Sequence, residues 1–256
     1  RRYAEVSPGR VLRYGLEPRP GLSLTVASLE STLTGTRGTL HSDWGNRAFS
    51  TPLVGRHNTM NFLAAVGCGL LLEAPLDSLL DSLAQMATIP GRMNRFTEHE
   101  VSVFVDYAHT EDALSHVLGA LRRLNPSRII TVFGCGGDRD RSKRGPMGRA
   151  AISGSDVVVL TSDNPRFESP EAIADDVTAG WGSPEAYDGE QGYLIELNRA
   201  SAIAKAIEIA RAGDVVLVAG KGHEQVQDIA GEKVPFDDQR VVRDALAVLS
   251  QRGGQS

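Results

Sequence analysis

The sequence predicts an α/β protein: a doubly wound, mostly parallel sheet over residues 92–256, preceded over residues 1–91 by an incomplete unit with a small antiparallel sheet and helices. Three observations predict it. Runs such as "VSVFV", "RIITVF", "DVVVL" and "GDVVLVAG" are apolar on both faces, as strands covered by helices on both sides must be. Between those runs lie segments with apolar residues at helical spacing. Ahead of Pro90-Gly91 the pattern differs, with short alternating stretches broken by glycine.

In chain order, residues 21–54 read as the strands "LSLTVASLES", "RGTLHSDW" and "RAFSTPLVG", with Gly35, Gly38 and Gly45 marking turns. Residues 58–72 and 75–86 follow helical spacing, and "IPGRMNRF" breaks it. A strand is then expected at 101–110 and an amphipathic helix at "EDALSHVLGALRRL". A strand at 128–137 precedes a short helix at 146–153, and a strand at 155–164 precedes a helix at 169–180. Ser169-Pro170-Glu171 suits that last start: a capping hydroxyl, a proline at the first helical position and an acid at the positive helix end. A weaker strand at 193–197, the helix "RASAIAKAIEIARA", a strand at 213–224 and a helix at 239–250 complete the chain.

The bulk numbers narrow the function. A net charge of −5 argues against a general nucleic-acid binder, which needs a basic face. Cys68 and Cys135 show neither metal spacing nor a disulfide framework, which fits a reducing, cytoplasmic setting. The longest apolar stretch, "FLAAVGCGLLLEAPL", is interrupted and too short for a bilayer, and no signal peptide is seen. The chain opens on Arg1-Arg2 instead of methionine, so a piece of a longer protein is expected.

In a doubly wound sheet, ligands gather beyond the carboxyl ends of the strands, near a topological switch point. Those ends read "DYAHT", "GCGGDRDRSKR", "TSDNPR" and "AGKGHE", and carry Asp106, His109, Arg139, Asp163, Arg166, Lys221 and Glu224. A sheet that serves only as scaffold has no use for so many charges along one rim. Asp163 and Arg166 lie three apart, with Pro165 stiffening the backbone between them. A guanidinium fork suits a carboxylate, and a carboxylate suits an ammonium. A rigid loop showing both can grip an amino acid by its two charges. The competing reading is an Asx turn whose local Asp–Arg pair simply starts the next helix.

Gly134 and Gly136 fill two positions of G-x-G-x-x-G, but Arg139 stands at the third and Asp163 comes too late for a ribose-binding acid. NAD binding is therefore rejected. Arg139, Arg141, Lys143 and Arg144 make this loop positive, which points to an anion, against a merely solvated basic loop. Lys221 is followed by Gly222, so "GKGHE" is no phosphate-binding P-loop, and His223 with Glu224 lacks a second histidine motif for a metal. In "GRHNTMN", Asn58 and Asn61 share a helical face, and amides can read an adenine edge; helix capping by Asn58 is the alternative.

Taken in order, "GRHNTMN", "PGRMNRF", "VDYAHT", "FGCGGDRDRSKRGPMG", "TSDNPR" and "AGKGHE" resemble the motifs of the Mur ligases of peptidoglycan synthesis, most closely the members that add diaminopimelate. The resemblance runs from about residue 10 to about residue 250. It implies a Rossmann-like C-terminal domain that brings an amino acid to a central ATPase domain, of which only the last part is here. By resemblance, Asn58 and Asn61 contact adenine, and Arg92 and Asp106 contact ATP phosphate and ribose. Arg139, Asp163, Asn164, Arg166, Gly220 and Glu224 match positions that hold the amino acid, and His109 matches a histidine near the reacting groups, the catalytic candidate. The form "DNPR" implies meso-diaminopimelate over lysine, because Arg166 can take the carboxylate of its second zwitterionic end.

The implied cofactors are ATP and Mg2+, with the metal ligands expected mainly outside this chain. The implied partners are meso-diaminopimelate and UDP-MurNAc-L-Ala-D-Glu, without nucleic acid or membrane, bound by a monomer. The family's UDP-binding domain, Gly-rich phosphate loop and carbamylated lysine have no counterpart in the sequence, so the chain alone is expected not to turn over. Glu111 stands where the family usually has proline, and Thr59 where a small apolar residue is usual. Two competing readings are a Mur-like binding or regulatory module without catalysis, and a folylpolyglutamate synthetase, against which "DNPR" and "GKGHE" weigh.

Overall fold

The structure, a computed structural model, describes residues 5–86, 89–98, 100–182 and 184–253. The chain divides into two compact units, residues 1–88 and 89–256. Gly91 belongs to the second unit because its amide donates to Asn94 Oδ1 (2.5 Å) and its carbonyl accepts from the Tyr107 amide (2.9 Å).

In the first unit, β1 (Tyr14–Gly15) runs parallel to β2 (Leu24–Thr32), and β2, β3 (Gly35–Ser42) and β4 (Arg47–Thr51) are successively antiparallel. Helices α1 (Arg56–Leu71) and α2 (Leu76–Ala84) complete the unit. Leu24, Val26, Leu40 and Phe49 of the sheet pack on Phe62, Leu63, Val66 and Leu70 of α1 and on Leu80 of α2. The Phe49 and Phe62 rings stack with centroids 4.5 Å apart. Gly38 is a correction: it lies inside β3, not at a turn. The Phe49 ring covers it so closely that an added Cβ would come within 3.1 Å.

The second unit runs β5 (Asn94–Glu98), β6 (Val101–Asp106), α3 (Glu111–Arg122), β7 (Ile129–Phe133), α4 (Arg144–Gly154), β8 (Val157–Leu160), α5 (Pro170–Thr178), β9 (Gly192–Ile195), α6 (Arg199–Glu208) and β10 (Val215–Ala219). A hairpin of β11 (Val226–Ile229) and β12 (Glu232–Pro235) and the helix α7 (Asp238–Gly253) end it. The sheet order is β5-β6-β10-β7-β8-β9. All pairs are parallel except β5 with β6. Strand β5 is absent from the sequence reading, because "NRFTE" is a half-polar edge without the apolar run of its neighbours.

Every residue of β6, β7, β8 and β10 is buried, as double coverage requires. Val103, Val105, Val132, Val159, Val216 and Val218 pack with Ala202, Ile203, Ala206 and Ile207 of α6 and Val242 and Leu246 of α7. The alternate residues of those strands point to the opposite face, where α3, α4 and α5 pack in series. Each fully buried valine contributes roughly 1.5–3 kcal/mol. The helix starts follow the sequence: Thr110, Ser169 and Asn198 cap α3, α5 and α6 through their side chains. Helix α4 begins at Arg144, earlier than expected, continuing a 3-10 turn over Arg141–Lys143 that the Asp140 carboxylate caps.

The chain leaves β6 and enters β7, while the later β10 fills the slot between them. The loops after β6, β7, β8 and β10 therefore crowd one rim, at the switch point. Among the described residues, no helix is long and apolar enough to cross a membrane.

Candidate functional site

A cavity of about 430 Å³ opens at that rim, within the size range of small-molecule sites. His109, Arg139, Asp163, Asn164, Arg166, Gly220 and Glu224 all line it, drawn from four different loops. Arg92 and Asp106 do not line it, and Asn58 and Asn61 belong to the first unit.

Glycine lets two of these loops touch. A Cβ on Gly134 or Gly137 would collide with the carbonyl oxygens of Thr161 and Pro165 respectively. The "GCGG" stretch is thus a backbone-contact device between the β7 and β8 loops. The basic character expected of the following loop is largely cancelled, which is a second correction. Arg144 is buried and bidentate to Glu168 (2.8 and 2.9 Å), and its Nη1 also reaches Asp176 (2.8 Å), which Arg141 shares (2.9 Å). The Arg144 fork, with the Asp138 amide, holds the Glu168 carboxyl down to about 2. Arg139 and Lys143 remain exposed at the cavity, and among the described residues no carboxylate pairs with either.

On the acidic side, the strand-end charge Lys221 is fully buried. Its ammonium donates to Asn164 Oδ1 (2.9 Å) and Glu224 Oε2 (3.0 Å). The Asn164 amide donates to the same Glu224 oxygen (3.1 Å). Burial would raise the Glu224 carboxyl, but these donors outweigh it and hold it below the usual glutamate range. Glu224 is therefore a carboxylate whose Oε1 has no partner among the described residues. Asn164 positions it: its side-chain Oδ1 also accepts from the Asp228 amide (3.0 Å).

The half-buried Asp163 accepts no side-chain hydrogen bond from the described residues. Loss of water contact pushes its carboxyl up, against the pull of Arg199 and Lys221. Ionising this carboxyl therefore costs more in the folded protein than in the unfolded chain. Stability is lost as pH rises from the ordinary aspartate range through the raised value, and below that range the cost vanishes. Asp163→Asn is therefore expected to raise the melting temperature at pH 7 and to leave it unchanged near pH 3, as read by scanning calorimetry. A lower melting temperature at pH 7 would refute the assignment.

Arg166 sits in the left-handed region at φ +51, unusual for a non-glycine residue and a sign of strain held at a site. Its Nη1 donates to the Gly137 carbonyl (2.6 Å), and its Nε lies 4.0 Å from Asp228. Arg166 lines the cavity, and its guanidinium carries more donors than these contacts use.

The His109 ring packs against Tyr107 with centroids 4.5 Å apart and planes tilted by 52°, and its Nδ1–H donates to the Tyr107 carbonyl (2.8 Å). A carbonyl can only accept, so Nδ1 carries a hydrogen, and in the neutral ring Nε2 carries the lone pair. The Arg92 guanidinium lies over the Tyr107 ring, 5.3 Å from its centroid. Asp106 is buried and accepts from the Met93 and Ala108 amides (2.9 Å each), which fastens the turn carrying Arg92. The Cys135 thiol, also at the cavity, is pushed up to about 12 by burial and by Asp163, so it stays protonated and is no nucleophile.

In the first unit, Gly55 is the N-cap of α1, so Asn58 does not cap it. Asn58 is buried, donates to the Val54 carbonyl (2.9 Å) and accepts from Asn61 (3.4 Å); the two amides do share a face. Two residues outside the sequence reading hold the site together. Gln227 donates to the Asp163 carbonyl (2.7 Å), and the buried Arg199 donates to the carbonyls of Ser162 (3.4 Å) and Ala219 (3.0 Å). The signal for the hairpin was present in "VQDIAGEKVP", where alternation surrounds Ala230-Gly231, but alanine at the first turn position disguised it.

The family model described as Mur ligase, glutamate ligase domain, matches residues 91–222. A UDP-N-acetylmuramoyl-L-alanyl-D-glutamate–2,6-diaminopimelate ligase of Gloeobacter violaceus is 45% identical over 237 residues, covering 92% of this chain and 47% of the relative. The ligase of the same name from a Synechococcus species is 48% identical over 229 residues, covering 87% and 45%. A solved structure of a ligase with this name superposes with a TM-score of 0.70 at 38% identity, covering 97% of this chain and 50% of that one. The chain thus spans about half the length of the curated relatives it matches.

Proposed function

The chain belongs to the Mur ligase family, and from that premise we propose that it is the amino-acid-binding part of an ATP-dependent amide ligase. The reaction adds meso-diaminopimelate to UDP-MurNAc-L-Ala-D-Glu in cytoplasmic peptidoglycan synthesis. The second unit is the amino-acid-binding domain, and the first is the end of the ATPase domain. One observation carries this reading: two acids, Asp163 and Glu224, and two arginines, Arg139 and Arg166, converge on one cavity. That array complements a small molecule bearing two ammonium and two carboxylate groups.

ATP, used with Mg2+, supplies the phosphoryl group that turns the peptide carboxylate into an acyl phosphate. Arg92, exposed beside Tyr107, is the cation that would meet phosphate, and Asn58 and Asn61 supply amides for the adenine. On this chain the work is orientation. Arg166 grips the distal carboxylate in its planar fork, and Arg139 takes the other. Glu224 and Asp163 receive ammonium. The attacking amine must be neutral, and His109 Nε2 is the proton acceptor. Holding the amine against the acyl phosphate lowers the barrier by about 7–11 kcal/mol, the largest contribution expected of this domain. As phosphate leaves, the amide forms.

The test is an assay of the complete ligase that contains this chain, with meso-diaminopimelate and L-lysine as alternative acceptors. Strong preference for meso-diaminopimelate is expected. Equal use of the two would refute the specificity, and no ATP-dependent ligation of either would refute the function.

A further inference from the structure

Resting on that reading, we infer that the hairpin β11–β12 is the positioning element for the distal end of the amino acid, and that Gln227 is its positioning residue. No residue of the hairpin lines the cavity, so it acts through the loop it holds. The hairpin holds that loop at three of its residues. Gln227 Nε2 donates to the Asp163 carbonyl (2.7 Å). The Asp228 amide donates to Asn164 Oδ1 (3.0 Å). Arg166 is bonded on both sides: its amide donates to the Asp228 carbonyl (2.9 Å), and its carbonyl accepts from the Ala230 amide (2.7 Å). Arg166 thus pairs with the hairpin as a short strand would, opposite Ile229.

These bonds explain how Arg166 keeps a left-handed backbone. Such a conformation costs an L-residue free energy and persists only where its surroundings impose it. Relaxation to the ordinary region would re-aim the side chain and with it the guanidinium fork. The hairpin is itself stiff, because Ala230 (φ +51) and Gly231 (φ +84) make a two-residue turn of the kind that matches strand twist.

Among these hydrogen bonds, only that of Gln227 comes from a hairpin side chain, so it can be removed without altering the backbone. Gln227 is 8% exposed, and the carbonyl it serves would be left without that donor. The loss falls on ligands that use Arg166, and spares nucleotide.

The experiment uses the complete ligase with Gln227→Met, which keeps the volume and removes the donor, and Gln227→Glu, which at neutral pH sets an acceptor against the carbonyl. The KM for meso-diaminopimelate is expected to rise about tenfold in Gln227→Met, the weight of one hydrogen bond, and further in Gln227→Glu. The KM for ATP should stay within about twofold, and kcat likewise. The ratio of kcat/KM between meso-diaminopimelate and L-lysine should fall by the same factor, because lysine lacks the carboxylate that Arg166 takes. Melting curves of both variants accompany the kinetics. An unchanged KM for meso-diaminopimelate in both variants overturns the inference and leaves the ligase reading standing. So does equal loss with both amino acids and with ATP in step with a lowered melting temperature, since that is a merely structural role. A wild-type ligase that does not use meso-diaminopimelate overturns the reading and the inference together.

Discussion

Asp238→Ala is expected to destabilise the second unit by about 3–5 kcal/mol, because it leaves a buried guanidinium without its counter-charge. Arg199 and Asp238 are both fully buried and meet in a two-point fork, Nε to Oδ1 and Nη2 to Oδ2, each 2.8 Å. The same guanidinium serves the carbonyls of Ser162 and Ala219, the residues just before Asp163 and Gly220. The pair therefore locks the ends of two strands at the place where the acidic half of the cavity begins. Urea unfolding of the wild type and the variant would measure the loss. The double variant Arg199→Met with Asp238→Leu should recover most of it, since a buried ion pair replaced by packed apolar side chains is often neutral or better. A loss under about 1 kcal/mol in Asp238→Ala would show that water or a neighbour already serves the arginine. In the double variant, stability should return while amino-acid binding stays impaired, because the carbonyls of Ser162 and Ala219 lose their shared donor.

Arg166→Lys is expected to cost about 2–5 kcal/mol of amino-acid binding, a rise of at least about thirtyfold in the KM for meso-diaminopimelate. The charge is kept, so the loss measures geometry. A lysine ammonium offers no planar fork and cannot donate to the Gly137 carbonyl and to a carboxylate with the same fixed angles. Selectivity over L-lysine should collapse together with affinity, while the KM for ATP should hold. Selectivity unchanged in Arg166→Lys would show that this guanidinium does not read the distal carboxylate. The Gln227 variants should reproduce this pattern in weaker form, because they disturb the aim of the fork without removing it.

The parallel core was legible because β6, β7, β8 and β10 are dominated by apolar residues on both faces, a property of four to six adjacent residues. The helix start at Ser169 was legible for the same reason, since a cap and the turn it serves are neighbours; Thr110 and Asn198 cap their helices in the same way. The site residues were legible as a group, since strand ends of a doubly wound sheet fall on one rim whatever the details. Strand β5 and the hairpin were not. Their sequences are half polar, and their places are set by partners: β6 for the first, the Asp163–Arg166 loop for the second. Gly38 was misplaced because a glycine under an aromatic ring looks, in sequence, like any glycine in a turn.

By itself the sequence determined the layered α/β architecture, the carboxyl-end location of the charged motifs and the family to which they belong, all of which follow from local period and local residue type. Only the tertiary structure decided which charges are available to a ligand. Arg144 is neutralised by Glu168 across 24 positions, Glu224 is held by Asn164 across 60, and Arg199 is spent on Asp238 across 39. The reason is physical: a side chain's charge is local, but its cancellation by hydrogen bonding and burial depends on what the fold brings against it.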